Sequence, residues 1–255
     1  VGCILDVVLA AALGGDHLSD IGVLRAEPTV FGPVACDPTV SRLVDALAGA
    51  GSRALAAIRQ ARSEVRQRVR KSADAALPDA SGEMIVDIDG VLVLAHSEKQ
   101  DAAATWKKTF GHHPLVAFVG HGRRGSDEPV AGLLRPGNTG SDTAADHVTV
   151  TRQVPAQLPA QLPARLRRGR RTPIRTDSAG GTHDFLDRFI RRGRWLSYSV
   201  GMTVTDAVHR AVLLVPEPAR TPAIEPDSEI RDGVWVTEVG RRPEGLADGH
   251  AAGCP

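Results

Sequence analysis

Thiols are scarce in this 255-residue chain, which holds Cys3, Cys36 and Cys254 and no others. They are scattered, odd in number and never spaced C-x-x-C, which argues against a disulfide framework or a structural zinc site and suits a reducing cytoplasm. Long apolar runs are also missing. The opening one, Ile4 to Leu13, is too short to cross a bilayer, contains Asp6 and has no basic residue before it. Neither a membrane span nor a signal peptide is expected, and the run reads as a buried helix. An excess of one charge is absent too. The formal net charge is +1, so affinity for nucleic acid must come from local Arg clusters. There is no Ser-His-Asp set and no phosphate-cradling glycine motif; Gly180-Gly181 reads as a turn.

What is present describes a folded protein. Hydrophobic residues make up 42% and charged residues 24%, a globular balance, and the length allows one domain with an appendage. Residues 1–75 read as helical. Asp37 is expected to cap a helix whose first position is Pro38, with Val40, Leu43, Val44 and Leu47 at helical spacing. Ser52 is expected to cap a second helix, with Leu55, Ile58, Val65 and Val69 on one side. Arg59, Arg62, Arg66, Arg68 and Arg70 form the other, which reads as a solvated face in preference to a DNA-contacting one.

The character changes at Met84. Met84 to Leu94, Pro114 to Val119 and Pro129 to Leu134 read as strands bounded by turn residues. Ser141 is expected to cap a helix reaching about Val150. Residues 155–171 open with the tandem Gln157-Leu-Pro-Ala and Gln161-Leu-Pro-Ala; prolines at that spacing predict a loop, which runs into Arg165, Arg167, Arg168, Arg170 and Arg171. Then come a strand (Ile174 to Asp177), a helix (Thr182 to Arg191), a strand (Trp195 to Val200) and a helix (Thr205 to Leu214). A loop over 215–229 and a strand from Val234 to Val239 follow, and no periodicity remains after Gly240. Three consecutive strands followed by helix–strand alternation predict an α/β fold, a mixed five-stranded sheet of RNase H-like order with flanking helices. The expected organisation is a helical segment over 1–75, a core over 76–214, and a partial insertion with an irregular tail over 215–255.

Two carboxylates inside one strand are the most informative feature. Residues two apart on a strand share a face, so Asp87 and Asp89 point together. Strands disfavour Asp, and two neighbouring like charges call for a cation or a raised pKa; a single salt-bridged Asp near a strand end is the plainer alternative. Asp177 ends its own strand before a glycine loop, where ligands gather in open α/β sheets. If the first and fourth strands are neighbours, Asp89 and Asp177 meet. Carboxylates converging at an open site suit Mg²⁺ or Mn²⁺, ions that can activate a water or a 3′-hydroxyl at a phosphodiester.

Val86-Asp-Ile-Asp-Gly-Val-Leu-Val93, His96-Ser-Glu-Lys99, Phe110-Gly-His-His-Pro-Leu115, Leu134-Arg-Pro-Gly-Asn138 and Ile174-Arg-Thr-Asp-Ser178 occur in that order. Together they resemble the DDE transposases of bacterial insertion sequences, specifically the group numbered thirteen-eighty, over most of residues 9–239. The resemblance implies that Asp89 is the first catalytic Asp and Asp177 the second, with Asp87 a neighbouring metal-ligand candidate and Mg²⁺ or Mn²⁺ the cofactor. It implies DNA as partner, nicked and joined at the element's terminal inverted repeats, usually by a dimer. The family's third carboxylate, a Glu on a late helix beyond a β-rich insertion, finds no match; Glu238 falls on an expected strand, and residues 240–255 no longer resemble the family. The expectation is a truncated copy, inactive alone.

Two rival readings stand beside this one. Asp87-Ile-Asp-Gly-Val-Leu-Val93 also resembles the first motif of haloacid dehalogenase-like phosphatases, with Asp87 as nucleophile and Asp89 as general acid/base. Against it, Lys99, Lys107 and Lys108 come too early for that family's lysine. The other rival is a non-catalytic DNA-binding remnant using Arg165 to Arg171 and Arg191, Arg192 and Arg194; an Arg-rich loop without a partner fits those clusters equally well. Trp106, beside Lys107 and Lys108, offers a ring on which a base could stack, but one aromatic near two lysines more often packs, and packing is expected. His96, His112, His113 and His121 read as turn or core residues.

Overall fold

The computed structural model describes residues 2–72, 85–95, 99–120, 127–140, 143–158, 174–190, 198–225 and 227–237. Two compact units emerge, Val1–Val65 and Arg66–Pro255.

The first unit is helical: α1 (Gly2–Ala12), a 3-10 turn (Leu18–Asp20), α2 (Ile21–Ala26), α3 (Pro28–Phe31), α4 (Asp37–Ala50) and the start of α5 (Ser52–Ser72). Its small core is Ala10, Ile21, Leu24 and Val40, with Val7, Phe31 and Val34 packed around it. The expectation of a buried first helix is corrected, because Ile4, Leu5, Val8 and Leu13 are exposed. Asp6 is buried instead, since its carboxylate accepts the Ala35 N–H at 2.9 Å. Nor does Asp37 cap α4. Cys36 holds the cap position without a side-chain capping bond to the backbone, and the Asp37 carboxylate is taken by the Arg25 guanidinium at 2.6 Å.

The second unit is built on a five-stranded sheet. Its strands are β1 (Val86–Gly90), β5 (Leu115–Val119), β6 (Glu128–Leu133), β7 (Ile174–Thr176) and β8 (Tyr198–Val200), in the order β6-β5-β1-β7-β8. β1 and β6 each run antiparallel to β5, while β1, β7 and β8 are parallel. This is the expected RNase H-like mixed sheet. Burial alternates along β5, as the two-residue period of a strand requires. Val86, Ile88, Leu115, Ala117, Val119 and Ile174 form a core with Val150, Val154 and Leu158 of the α6 region and Phe185 of the next helix. That next helix is α7 (His183–Ile190), and it packs on α6 (Ala144–Gln157). The opposite sheet face carries Asp87, Asp89, Val116, Phe118 and Arg175, none of them buried.

Several local expectations change. The run from Met84 to Leu94 is not one strand. β1 stops at Gly90, the Val91 N–H bonds to the Pro114 carbonyl at 2.9 Å, and β2 (Val93–Leu94) joins a separate three-stranded sheet in the order β2-β4-β3. Its other strands are β3 (Ala103–Ala104) and β4 (Phe110–His112). α6 runs to Gln157 with Pro155 inside it, correcting the loop expected from residue 155; the apolar face Val150, Val154 and Leu158 stays buried and holds the last turn in place. The second Gln-Leu-Pro-Ala and Arg165 to Arg171 lie outside the described residues, as do Arg191, Arg192 and Arg194. After β8, α8 (Asp206–Leu213) starts on a Thr205 hydroxyl cap. The expected loop over 215–229 holds a 3-10 turn (Glu217–Ala219) and β9 (Thr221–Ile224), which pairs with β10 (Ile230–Val236) as a hairpin. No helix among the described residues is long and apolar enough to cross a membrane.

Candidate metal site and its rim

The parallel pairing of β1 with β7 sets Val86 beside Ile174, Asp87 beside Arg175 and Ile88 beside Thr176. One further step along the same register reaches Asp89 and Asp177. Val86, Ile88, Ile174 and Thr176 are buried, so the alternate positions present their charges on the other face. Each carboxylate is oriented by one backbone N–H: Asp89 Oδ1 accepts from Gly90 at 2.8 Å, and Asp177 Oδ1 accepts from Ala179 at 2.9 Å, capping the 3-10 turn Ser178–Gly180. Both residues are exposed, and among the described residues neither is paired with a cation. Gly201 is pressed against this turn; a Cβ there would lie 2.8 Å from the Ser178 nitrogen and 3.0 Å from the Asp177 carbonyl carbon.

Asp89 and Asp177 line one cavity of about 830 Å³. Asp87 is not among its lining residues. Its carboxylate grips the Arg175 guanidinium at two points, Oδ2 to Nη2 at 2.7 Å, and this raises the arginine's pKa further. The phosphatase reading needs Asp87 to face substrate as a nucleophile, and the carboxylate is held by Arg175 instead.

Most of the remaining lining comes from the β3–β4 hairpin and from the turn after β6. Arg135 is buried: Nε donates to the His113 carbonyl at 2.9 Å and Nη1 to Asp146 at 3.3 Å, while Nη2 has no partner among the described residues. The His113 N–H bonds back to the Arg135 carbonyl at 3.0 Å, and the Thr139 N–H closes a turn on the Pro136 carbonyl at 3.0 Å. Gly137 lies under the hairpin, where a Cβ would meet the Ala103 and Gly111 carbonyl oxygens. The segment Leu134-Arg-Pro-Gly-Asn138 thus anchors the small sheet beside the carboxylates.

His112 and His113 are buried, as expected of core residues, with ring nitrogens near the carbonyls of Gln100 (3.1 Å) and Thr139 (3.3 Å). His96 and His121 lie outside the described residues. His147 escaped sequence reasoning. It is buried against Phe185, its Nδ1 is 3.1 Å from the Thr143 carbonyl, and it lines the cavity. Its place in the helical series 147, 150, 154 was the available signal. Trp106 and Lys107 also line the cavity, and Trp106 is 71% exposed, so the expectation that it packs is corrected.

Two exposed carboxylates at adjacent strand ends offer the hard oxygen donors that a divalent cation takes, and their donor chemistry fits one. Among the described residues the cavity lining holds no third carboxylate. The described cluster with three closely spaced ligand atoms is elsewhere, at Asp16, His17 and Asp20. There the Asp20 carboxylate accepts the N–H groups of His17 and Asp16, which lower its pKa, so the cluster reads as a turn cap. Glu238 lies outside the described residues.

Comparison with known proteins gives one result. A family model described as transposase DDE domain group 1 matches residues 2–243. No curated protein and no solved structure matches. With the match spanning nearly the whole length, from the first helix past the final hairpin, the chain belongs to the transposase DDE domain group 1 family.

Proposed function

We propose that the chain acts on DNA at the ends of an insertion sequence of the thirteen-eighty group, with Asp89 and Asp177 as the ligands of a Mg²⁺ or Mn²⁺ ion. The observation that carries this is the β1–β7 register, which delivers both carboxylates to one open cavity at the carboxyl ends of parallel strands. A divalent ion held there supplies activation of a water or 3′-hydroxyl and neutralises charge at the phosphodiester. The protein's own part is orientation. The Gly90 and Ala179 N–H groups aim the two carboxylates, and Gly201 keeps the Asp177 turn against the end of β8. We assign Asp87, first considered as a ligand, the task of fixing Arg175 and so the β1–β7 pairing.

The lining lacks a third carboxylate among the described residues, which supports a site that binds metal and DNA yet does not complete strand transfer alone. Recognition of terminal inverted repeats and assembly as a dimer belong to the same proposal. The test is incubation of the purified chain with Mg²⁺ or Mn²⁺ and DNA carrying the element's ends. The expected result is DNA binding without joined product. Efficient joining that disappears in Asp89→Asn would overturn the incompleteness, and phosphate release from a generic monoester lost in Asp87→Asn would establish the phosphatase instead.

A further inference from the structure

The cavity also presents an aromatic ring and cations that metal binding does not use. Trp106, Lys107 and Lys108 form the tip of the β3–β4 hairpin. The loop is closed by Thr105 and Thr109: the Thr105 N–H bonds to the Thr109 carbonyl at 2.8 Å, and their hydroxyls lie 2.6 Å apart. The Lys108 N–H bonds to the Thr105 carbonyl at 3.1 Å, and Lys108 has φ 60°, the left-handed conformation that ends a three-residue hairpin loop. The tip is therefore a defined structure, tied below by the Gly137 turn.

On this tip the Trp106 indole is 71% exposed, although burying a tryptophan is among the most favourable things a fold can do. Lys107 Nζ stands 4.9 Å from the ring centroid, so the aromatic surface comes with positive charge. An accessible ring followed by two lysines, on the cavity that Asp89 and Asp177 line, matches single-stranded DNA. Successive bases stack on aromatics while cations follow the backbone. Paired bases in a duplex hide their faces, so the occupant is an unpaired base.

We propose that Trp106 is a stacking platform for an unpaired base of the strand whose phosphate lies at Asp89 and Asp177, with Lys107 and Lys108 on neighbouring phosphates. This rests on the transposase reading for the strand's entry into the cavity.

The chain has three tryptophans, so replacing Trp195 and Trp235 by Phe leaves Trp106 as the sole reporter. Without metal, titration with a short single-stranded oligonucleotide is expected to quench its emission, and the matching duplex to quench it much less. In the otherwise native chain, anisotropy of a labelled strand is expected to show about tenfold weaker binding for Trp106→Ala and near-native binding for Trp106→Phe. Strand binding that leaves the emission and the Trp106→Ala affinity unchanged would overturn the platform and leave the transposase reading standing. Binding of neither DNA form would overturn both.

Discussion

Arg66 shows how a single residue can reverse the sense of a helix face. By periodicity it belongs with the solvated arginines of α5, yet its side chain is 8% exposed. It pairs with Glu128, donates to Gln157 Oε1 at 2.6 Å and to the Pro129 carbonyl at 2.8 Å, all within the second unit, and so holds the end of α5 that belongs to that unit against β6 and the end of α6. Removing one partner of a buried ion pair leaves the other charge uncompensated. Arg66→Ala is therefore expected to cost about 3 kcal/mol in denaturant unfolding; a loss under about 1 kcal/mol would contradict this role. The partners lie 62 and 91 residues away in the chain, so no local pattern announces them. Asp89 and Asp177 were legible for the opposite reason. Strand period and strand end are local properties, and they suffice to say which way a carboxylate points.

At the scale of elements, the RNase H-like sheet was legible and the small sheet was not. β2 and β3 have two residues each, too short for alternation to register, and the hairpin exists because Gly111 and Gly137 allow three backbones to close in. α6 outran its expected end because tertiary burial of Val154 and Leu158 outweighs the bond lost at Pro155. The hairpin's dependence on Gly137 gives a test. A Cβ at residue 137 meets two carbonyl oxygens of the backbone, which cannot swing aside, whereas one at Gly140 meets nothing within 4 Å among the described residues. Gly137→Ala is expected to lower stability by about 2 kcal/mol or more, with Gly140→Ala within about 0.5 kcal/mol of the native chain, both read from chemical unfolding. Equal stability of the two variants would show that the hairpin is not held this way.

For the molecule as a whole, the near-zero net charge means that DNA affinity has to arise where cations are concentrated, while the carboxylate site must work against its own negative charge. Folding creates that site from residues 88 positions apart, through one parallel strand pair. The order of strands foretold the β1–β7 pairing; the surroundings of the cavity, Arg135, His147 and Trp106, depended on packing that only three dimensions supply. The central proposal is that Asp89 and Asp177 form one cation site. The most direct measurement is Mn²⁺ titration followed by the paramagnetic resonance of the free ion, on the native chain and on Asp89→Asn, Asp177→Asn and Asp87→Asn. The expected result is binding weakened about tenfold or more in each of the first two variants, with most of it retained in Asp87→Asn. Native Mn²⁺ uptake by both Asp89→Asn and Asp177→Asn would contradict the account.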